Sequence, residues 1–73
     1  MDGSVYKIIE LVGTSTKSWE DAAKTAVETA AKSLEDLRVA EVAKEDLTVE
    51  NGKVTSYRVR VNLSFKYHPG DAQ

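Results

Sequence analysis

The sequence predicts an α+β fold in which a three-stranded antiparallel sheet is wrapped around one helix. Residues 53–67 alternate apolar and polar side chains, which is typical of a strand with one buried face. Residues 19–34 carry apolar side chains at spacings of three and four, which indicates a helix. The dipeptide Asn51-Gly52 favours a type I′ hairpin turn. With a further apolar segment at residues 4–12, the predicted order is β-α-β-β.

The first strand and the helix are separated by a predicted loop. Residues 4–12 are rich in β-branched and aromatic side chains, and Gly13 begins the loop. Ser18 is placed to cap the helix, with Asp21 at the reciprocal position of a capping box. Alanine dominates the apolar stripe, so we expect the helix to lie close against the sheet. The helix is predicted to end near residues 34–36.

The hairpin turn sets a register between the second strand, predicted at residues 38–50, and the third. A two-residue loop pairs residues whose numbers are mirrored about the turn, unless a β-bulge shifts them. This register predicts the pairs Glu50 with Lys53, Val42 with Val61, Val39 with Ser64 and Glu45 with Arg58. Val39, Glu41, Glu45 and Arg58 then share the sheet face that points away from the helix.

Composition excludes several classes of function. The chain has 73 residues, no Cys, one His and a net charge of −2, with acidic and basic residues interspersed. These features exclude disulfides, thiol catalysis and a basic nucleic-acid footprint. No apolar run approaches the ~20 residues of a membrane span, and no secretory signal is visible, so we expect a cytoplasmic protein. Residues 1–73 are predicted to form one domain, ordered over about 4–67, with a flexible tail at 68–73.

Oligomerisation is predicted from the small size and from the first strand. A domain this small has a marginal core and usually needs a disulfide, a metal or a partner. The first strand is apolar on both of its faces, and one helix covers only one face of a sheet. A second copy of the chain is therefore expected to cover the other face.

Three segments resemble the dodecin family: residues 5–15 (VYKIIELVGTS), residues 39–42 (VAEV) and residues 61–65 (VNLSF). The resemblance extends over about residues 4–67. It implies a β-α-β-β subunit and a hollow homo-dodecamer with tetrahedral symmetry. It further implies storage or sequestration of a flavin, riboflavin or FMN, bound in pairs near the two-fold axes without being turned over.

The resemblance also points to two site positions. In the family, a Trp at the position of Val39 stacks on the flavin ring, and a Gln at the position of Arg58 hydrogen-bonds its pyrimidine edge. Val has no planar surface for stacking, and Arg donates hydrogen bonds without accepting them. Both replacements argue against ordinary flavin stacking in this chain, with Glu41 and Glu45 as the polar neighbours of these positions.

A second hypothesis for the function of the predicted shell depends on its carboxylates. Glu41, Glu45 and Asp46 would recur at symmetry axes, where repeated oxygen ligands suit a divalent cation such as calcium. A purely structural shell, with carboxylates in cross-strand ion pairs, is the simpler alternative. Nothing in the residue inventory indicates an enzyme. Trp19 is expected to pack on the sheet or on a neighbouring subunit, and the lone His68 to be solvated.

Overall fold

The computed structural model describes residues 3–67 and has the predicted order of elements. These are β1 (Tyr6–Ser15), α1 (Trp19–Ala31), β2 (Leu37–Glu50) and β3 (Lys53–Lys66). The predicted α+β class with one helix and a three-stranded antiparallel sheet is confirmed. The predicted flexible tail, including His68, lies outside the described residues.

The sheet has the strand order β1-β3-β2, so β3 is central and both of its neighbours are edge strands. β3 is antiparallel to each of them. Asn51 and Gly52 have φ values of 52° and 75°, which the predicted type I′ turn requires at both positions. The turn therefore pairs Glu50 with Lys53, as predicted.

α1 begins where the capping signal placed it. The Ser18 side chain accepts a hydrogen bond of 3.0 Å from the main-chain N–H of Asp21. The predicted reciprocal bond from Asp21 is replaced by another, because the Ser15 hydroxyl donates to Asp21 Oδ2 at 2.7 Å. The Asp21 carboxylate therefore ties the end of β1 to the first turn of the helix.

The predicted helix end at residues 34–36 is wrong, because α1 ends at Ala31 with Lys32 as its C-cap. Beyond it, the N–H groups of Ser33 and Leu34 both bond the Ala30 carbonyl, which closes a turn without continuing the helix. Leu34 still packs against the core from this turn. The apolar stripe therefore extends one turn further than the helix itself.

β1 continues three residues beyond its predicted end and contains Gly13, which was expected in a loop. Gly13 is buried and pairs with Val59. A Cβ at this position would overlap the Ala22 carbonyl and lie 2.9 Å from the Ala26 Cβ. Glycine is needed here because the helix crosses the strand too closely for any side chain.

The core lies between the Ala face of α1 and one face of β3. Its buried members are Ala22, Ala26 and Ala30 from the helix and Val59, Val61, Leu63 and Phe65 from β3. Small helix residues opposite large strand residues let the two backbones approach, as the sequence predicted. The helix lies over β1 and β3 and leaves β2 largely uncovered, so every residue of β2 is exposed or half-buried.

Candidate ligand-binding face

The sheet face opposite α1 is formed by alternate residues of all three strands. We call it the open face, and it is centred on Arg58, Arg60, Asn62 and Ser64 of β3. Ile8 and Val12 of β1 pair with Ser64 and Arg60 and so lie on the same face. Ile8 is 62% exposed and Val39 of β2 is 57% exposed. Apolar side chains of this size on an exposed sheet face indicate a surface that binds a ligand or another protein chain.

The register on β2 differs from the prediction at the site. Arg58 is opposite Asp46, and Glu45 is opposite Val59 on the face that meets the helix. The predicted pairing of Glu45 with Arg58 is wrong, as is the placement of Glu45 on the open face. A β-bulge between Val42 and Lys44 displaces this part of β2 by one residue, and a one-residue shift moves a side chain to the other face.

Asp46 holds Arg58 in a bidentate ion pair. Arg58 Nε donates to Asp46 Oδ1 at 2.8 Å, and Arg58 Nη2 donates to Asp46 Oδ2 at 3.0 Å. Hydrogen bonding by Arg58 lowers the pKa of the Asp46 carboxyl, and the same bonds raise the pKa of the Arg58 guanidinium. The pair is solvent-exposed, so its main effect is to fix the direction of the Arg58 side chain.

Trp19 joins the helix to this part of the sheet. Its indole N–H donates a 3.1 Å hydrogen bond to the Asp46 main-chain carbonyl, and its ring meets Tyr57 edge-on with centroids 5.4 Å apart. The expectation that Trp19 packs on the sheet is confirmed. It contacts the backbone of Asp46, and the side chain of Asp46 binds Arg58.

A polar row crosses the middle of the open face. Glu10, Asn62 and Glu41 are in register on the three strands, and Asn62 Nδ2 lies 3.4 Å from Glu41 Oε1. Arg60 Nε lies 4.0 Å from Glu10 Oε1. Across residues 3–67, no three acidic or His side chains converge as a metal site. A single subunit therefore does not build a cation site from these residues.

The two site positions implied by the resemblance lie on the same face but not close together. Val39 is opposite Ser64, whereas Arg58 is six residues further along β3. At about 3.3 Å per residue, the two positions are roughly 20 Å apart. One subunit therefore does not place both residues against one ring-sized ligand. Sequence reasoning also missed Lys44, which the bulge places opposite Arg60.

Comparison with known proteins agrees with this architecture. The family model described as Dodecin matches residues 5–68. The chain belongs to the dodecin family. It is 46% identical over 66 residues to the calcium dodecin of Mycobacterium tuberculosis, covering 90% of this chain and 93% of that protein. The dodecin of Thermus thermophilus is 38% identical over 64 residues, with 88% and 93% covered.

Solved dodecin structures share the fold. The dodecin from Streptomyces coelicolor superimposes with a TM-score of 0.88 at 30% identity, covering 96% of this chain and all of that one. A crystal structure of M. tuberculosis calcium dodecin, described as calcium-chelating with a novel calcium-binding site, gives a TM-score of 0.81 at 45% identity, with 96% and 100% covered. Among the described residues, no helix of this dodecin-family chain is long and apolar enough to cross a membrane.

Proposed function

We propose that this chain is the subunit of a homo-dodecameric, non-enzymatic shell that binds and sequesters a small ligand on the open face. One observation carries the proposal: large apolar side chains are exposed on the open face of a very small domain. Ile8, Val12 and Val39 are 62%, 49% and 57% exposed. Membership of the dodecin family supports the same conclusion.

The energetics favour association. The buried side chains of α1 are alanines, which contribute little apolar area, so the core depends on four residues of β3. At about 25 cal/mol per Å² of apolar surface removed from water, covering the open face adds stability that the subunit alone lacks. A second region for contact between subunits lies on β2, where the apolar side chains of Val42 and Leu47 are 50% and 41% exposed. Two separate contact regions on one subunit are what a closed shell requires.

The open face also supports a ligand site shared between subunits. Val39 and Arg58 lie at opposite ends of it, so only two copies packed in opposite directions would bring Val39 of one near Arg58 of the other. The ion pair with Asp46 occupies Arg58 and fixes its direction. We propose that a flavin, riboflavin or FMN, is bound weakly there, since neither position supplies stacking or a two-way hydrogen bond.

Calcium is the second candidate ligand. A specific feature favours it: Glu10 and Glu41 flank Asn62 on the open face, and all three offer oxygen ligands. The M. tuberculosis relative is named calcium dodecin. Calcium takes 6–8 oxygen ligands, so such a site needs carboxylates from more than one copy. Here assembly would create the site, and it would be absent from a monomer.

Native mass spectrometry of freshly purified protein tests assembly and ligand together. We expect a particle of twelve chains of 8.0 kDa each. Ile8→Lys on the open face is expected to lower this mass, because it places an ammonium in the contact surface. Lys24→Glu, on the polar side of α1, serves as the control and should leave the mass unchanged. A monomer at micromolar concentration in the wild type would refute the shell.

The same sample distinguishes the two ligands. Retained flavin would appear as added mass with visible absorbance, and retained calcium as added mass that a chelator removes. Glu41→Gln should reduce calcium binding without changing the number of subunits. If an intact dodecamer retained neither ligand after equilibration with each of them, a purely structural shell would be the remaining hypothesis.

A further inference from the structure

A groove lies between α1 and the edge of β1 that is not paired with β3, away from the open face. It encloses about 300 Å³ and is lined by residues 11–14 of the strand and by Thr25, Ala26 and Thr29 of the helix. The groove exists because Gly13 and Ala26 meet at the close crossing of strand and helix, and neither has a side chain long enough to fill the space beside it. Concave sites of this size, with a few polar groups on mainly apolar walls, are typical of small-molecule binding.

The main chain of Val12 directs both of its hydrogen-bonding groups to this edge. The N–H of Tyr67 donates to the carbonyl of Val5 at 2.8 Å, so these two residues form a hydrogen-bonded pair that continues the register of β1 and β3. Such pairs alternate along an antiparallel strand, so odd-numbered residues of β1 bond β3 and even-numbered residues do not. The N–H and carbonyl of Val12 therefore face the unpaired edge, as do those of Thr14. Within residues 3–67, these four groups have no hydrogen-bond partner.

Two threonine hydroxyls on α1 border the groove opposite the strand. Thr25 and Thr29 are four residues apart, so their side chains lie on the same side of the helix. Both residues are exposed, and neither hydroxyl makes a hydrogen bond to another residue of the described part of the chain. A threonine hydroxyl can donate or accept a hydrogen bond. The groove therefore has main-chain donors and acceptors on its strand side and two adaptable hydroxyls on its helix side.

We propose that this groove binds a small, neutral, planar molecule with an amide or lactam edge. Such an edge places an acceptor oxygen beside a donor N–H, and the N–H and carbonyl of Val12 are the complementary pair. The apolar body of the molecule then lies over Gly13 and Ala26, where strand and helix leave space. Every residue that lines the groove is uncharged, so the ligand is neutral. The whole groove belongs to one subunit, so this site does not depend on the proposed shell or on its ligand.

The lactam 2-pyridone is the probe for this site. Its binding to the full chain is followed by ligand-observed saturation-transfer NMR over a series of ligand concentrations. N-methyl-2-pyridone has the same ring and no N–H donor, so it is expected to bind about tenfold more weakly or worse. Equal binding of the two compounds, or no binding of 2-pyridone by the wild type, would overturn the site.

Val12→Pro tests the main-chain N–H directly. It removes the N–H that faces the unpaired edge and no bond to β3, and proline is tolerated in edge strands at such positions. Val12→Ala is the reference variant, because it shortens the same side chain and keeps the N–H. The Pro variant is expected to bind 2-pyridone about tenfold more weakly than the Ala variant. Equal binding by the two variants would contradict a role for the main chain of Val12.

Thr29→Trp keeps the test valid if Val12→Pro folds poorly. It fills the groove from an exposed position of α1 and leaves the strand unchanged, so binding of 2-pyridone should be lost. Lys24→Trp, at an exposed position on the polar side of α1, is the matched control and should bind as the wild type does. Binding that survives in Thr29→Trp would place the ligand elsewhere. If Thr29→Trp instead lowers the mass of the particle while the wild type binds neither compound, the groove contacts a second copy and the proposal fails.

Discussion

The indole nitrogen of Trp19 donates a 3.1 Å hydrogen bond to the main-chain carbonyl of Asp46. This bond crosses from the first turn of α1 to the displaced segment of β2, where the helix has few other contacts. The ring of Trp19 also meets Tyr57 edge-on. Trp19 therefore holds the segment that carries Asp46 and its ion pair with Arg58 against the rest of the subunit.

Trp19→Phe is expected to lower stability by about 0.5–1.5 kcal/mol through loss of this hydrogen bond, beyond the smaller loss of ring area. Tyr57→Phe is the control, because it keeps the aromatic contact and its hydroxyl makes no hydrogen bond within residues 3–67. Urea unfolding curves of the three proteins give the comparison. If Tyr57→Phe lowered the free energy of unfolding as much as Trp19→Phe does, the hydrogen bond of the indole N–H would not be the cause of the lower stability.

Gly13→Ala is expected to be among the most destabilising single changes in the chain. The added Cβ would overlap the Ala22 carbonyl and approach the Ala26 Cβ at 2.9 Å, so α1 must move away from the sheet. Overpacking of this kind costs about 1–3 kcal/mol or more. Gly3→Ala is the control, since a Cβ at Gly3 meets nothing within 4 Å. Thermal melts that show equal stability for both variants would refute the close crossing.

Sequence patterns determined most of the fold because they are local. Ser18 caps the helix through an atom three residues away, and Asn51-Gly52 has few conformations other than a type I′ turn. The ends of β1 and α1 were misjudged because tertiary contacts decide them. Gly13 is in a strand because β3 pairs with it, and Leu34 reaches the core from a turn.

The candidate site was harder to predict because a bulge leaves no clear signal in sequence. The mirrored register holds at Val42 and Val61 and at Val39 and Ser64. It fails between the register shifts at Val42/Lys44 and Thr48/Val49, and again at Leu37, which pairs with Phe65. Arg58 was recognised as a site position, but its partner was expected to be Glu45 when it is Asp46. A bulge replaces the partner of a residue by the next residue along the strand, so the two possible partners are adjacent in sequence. Only the three-dimensional structure distinguishes them.

Asp46→Asn is expected to remove a pH-dependent part of the stability. The pKa of Asp46 is lowered in the folded protein, so its ion pair contributes stability that is fully present above the unfolded-state pKa of about 3.9. This contribution is lost as the pH falls through the lower folded-state value. The wild type should therefore be more stable than Asp46→Asn at pH 7, with the difference disappearing in acid. Urea midpoints measured from pH 7 to pH 2 test this, and a difference that grows in acid would contradict it.

The double variant Val39→Trp, Arg58→Gln is expected to gain flavin binding. Riboflavin fluorescence should be quenched little by the wild type and strongly by the variant. A stacking plane plus a two-way hydrogen bond is worth ~2–4 kcal/mol, or roughly thirty- to a thousand-fold in affinity. Arg58→Gln also frees Asp46, at small cost because that ion pair is exposed.

The separation of the two positions sharpens this prediction. Because Val39 and Arg58 are roughly 20 Å apart in one subunit, the gain in flavin affinity should require assembled particles. It should disappear where dilution or Ile8→Lys prevents assembly. Val54→Trp is the control for non-specific stacking, since Val54 lies near the hairpin turn and is 50% exposed. Strong quenching by the wild type would show that Val39 and Arg58 do not prevent flavin binding. No gain in an assembled double variant would mean that two copies do not bring these positions together around one flavin.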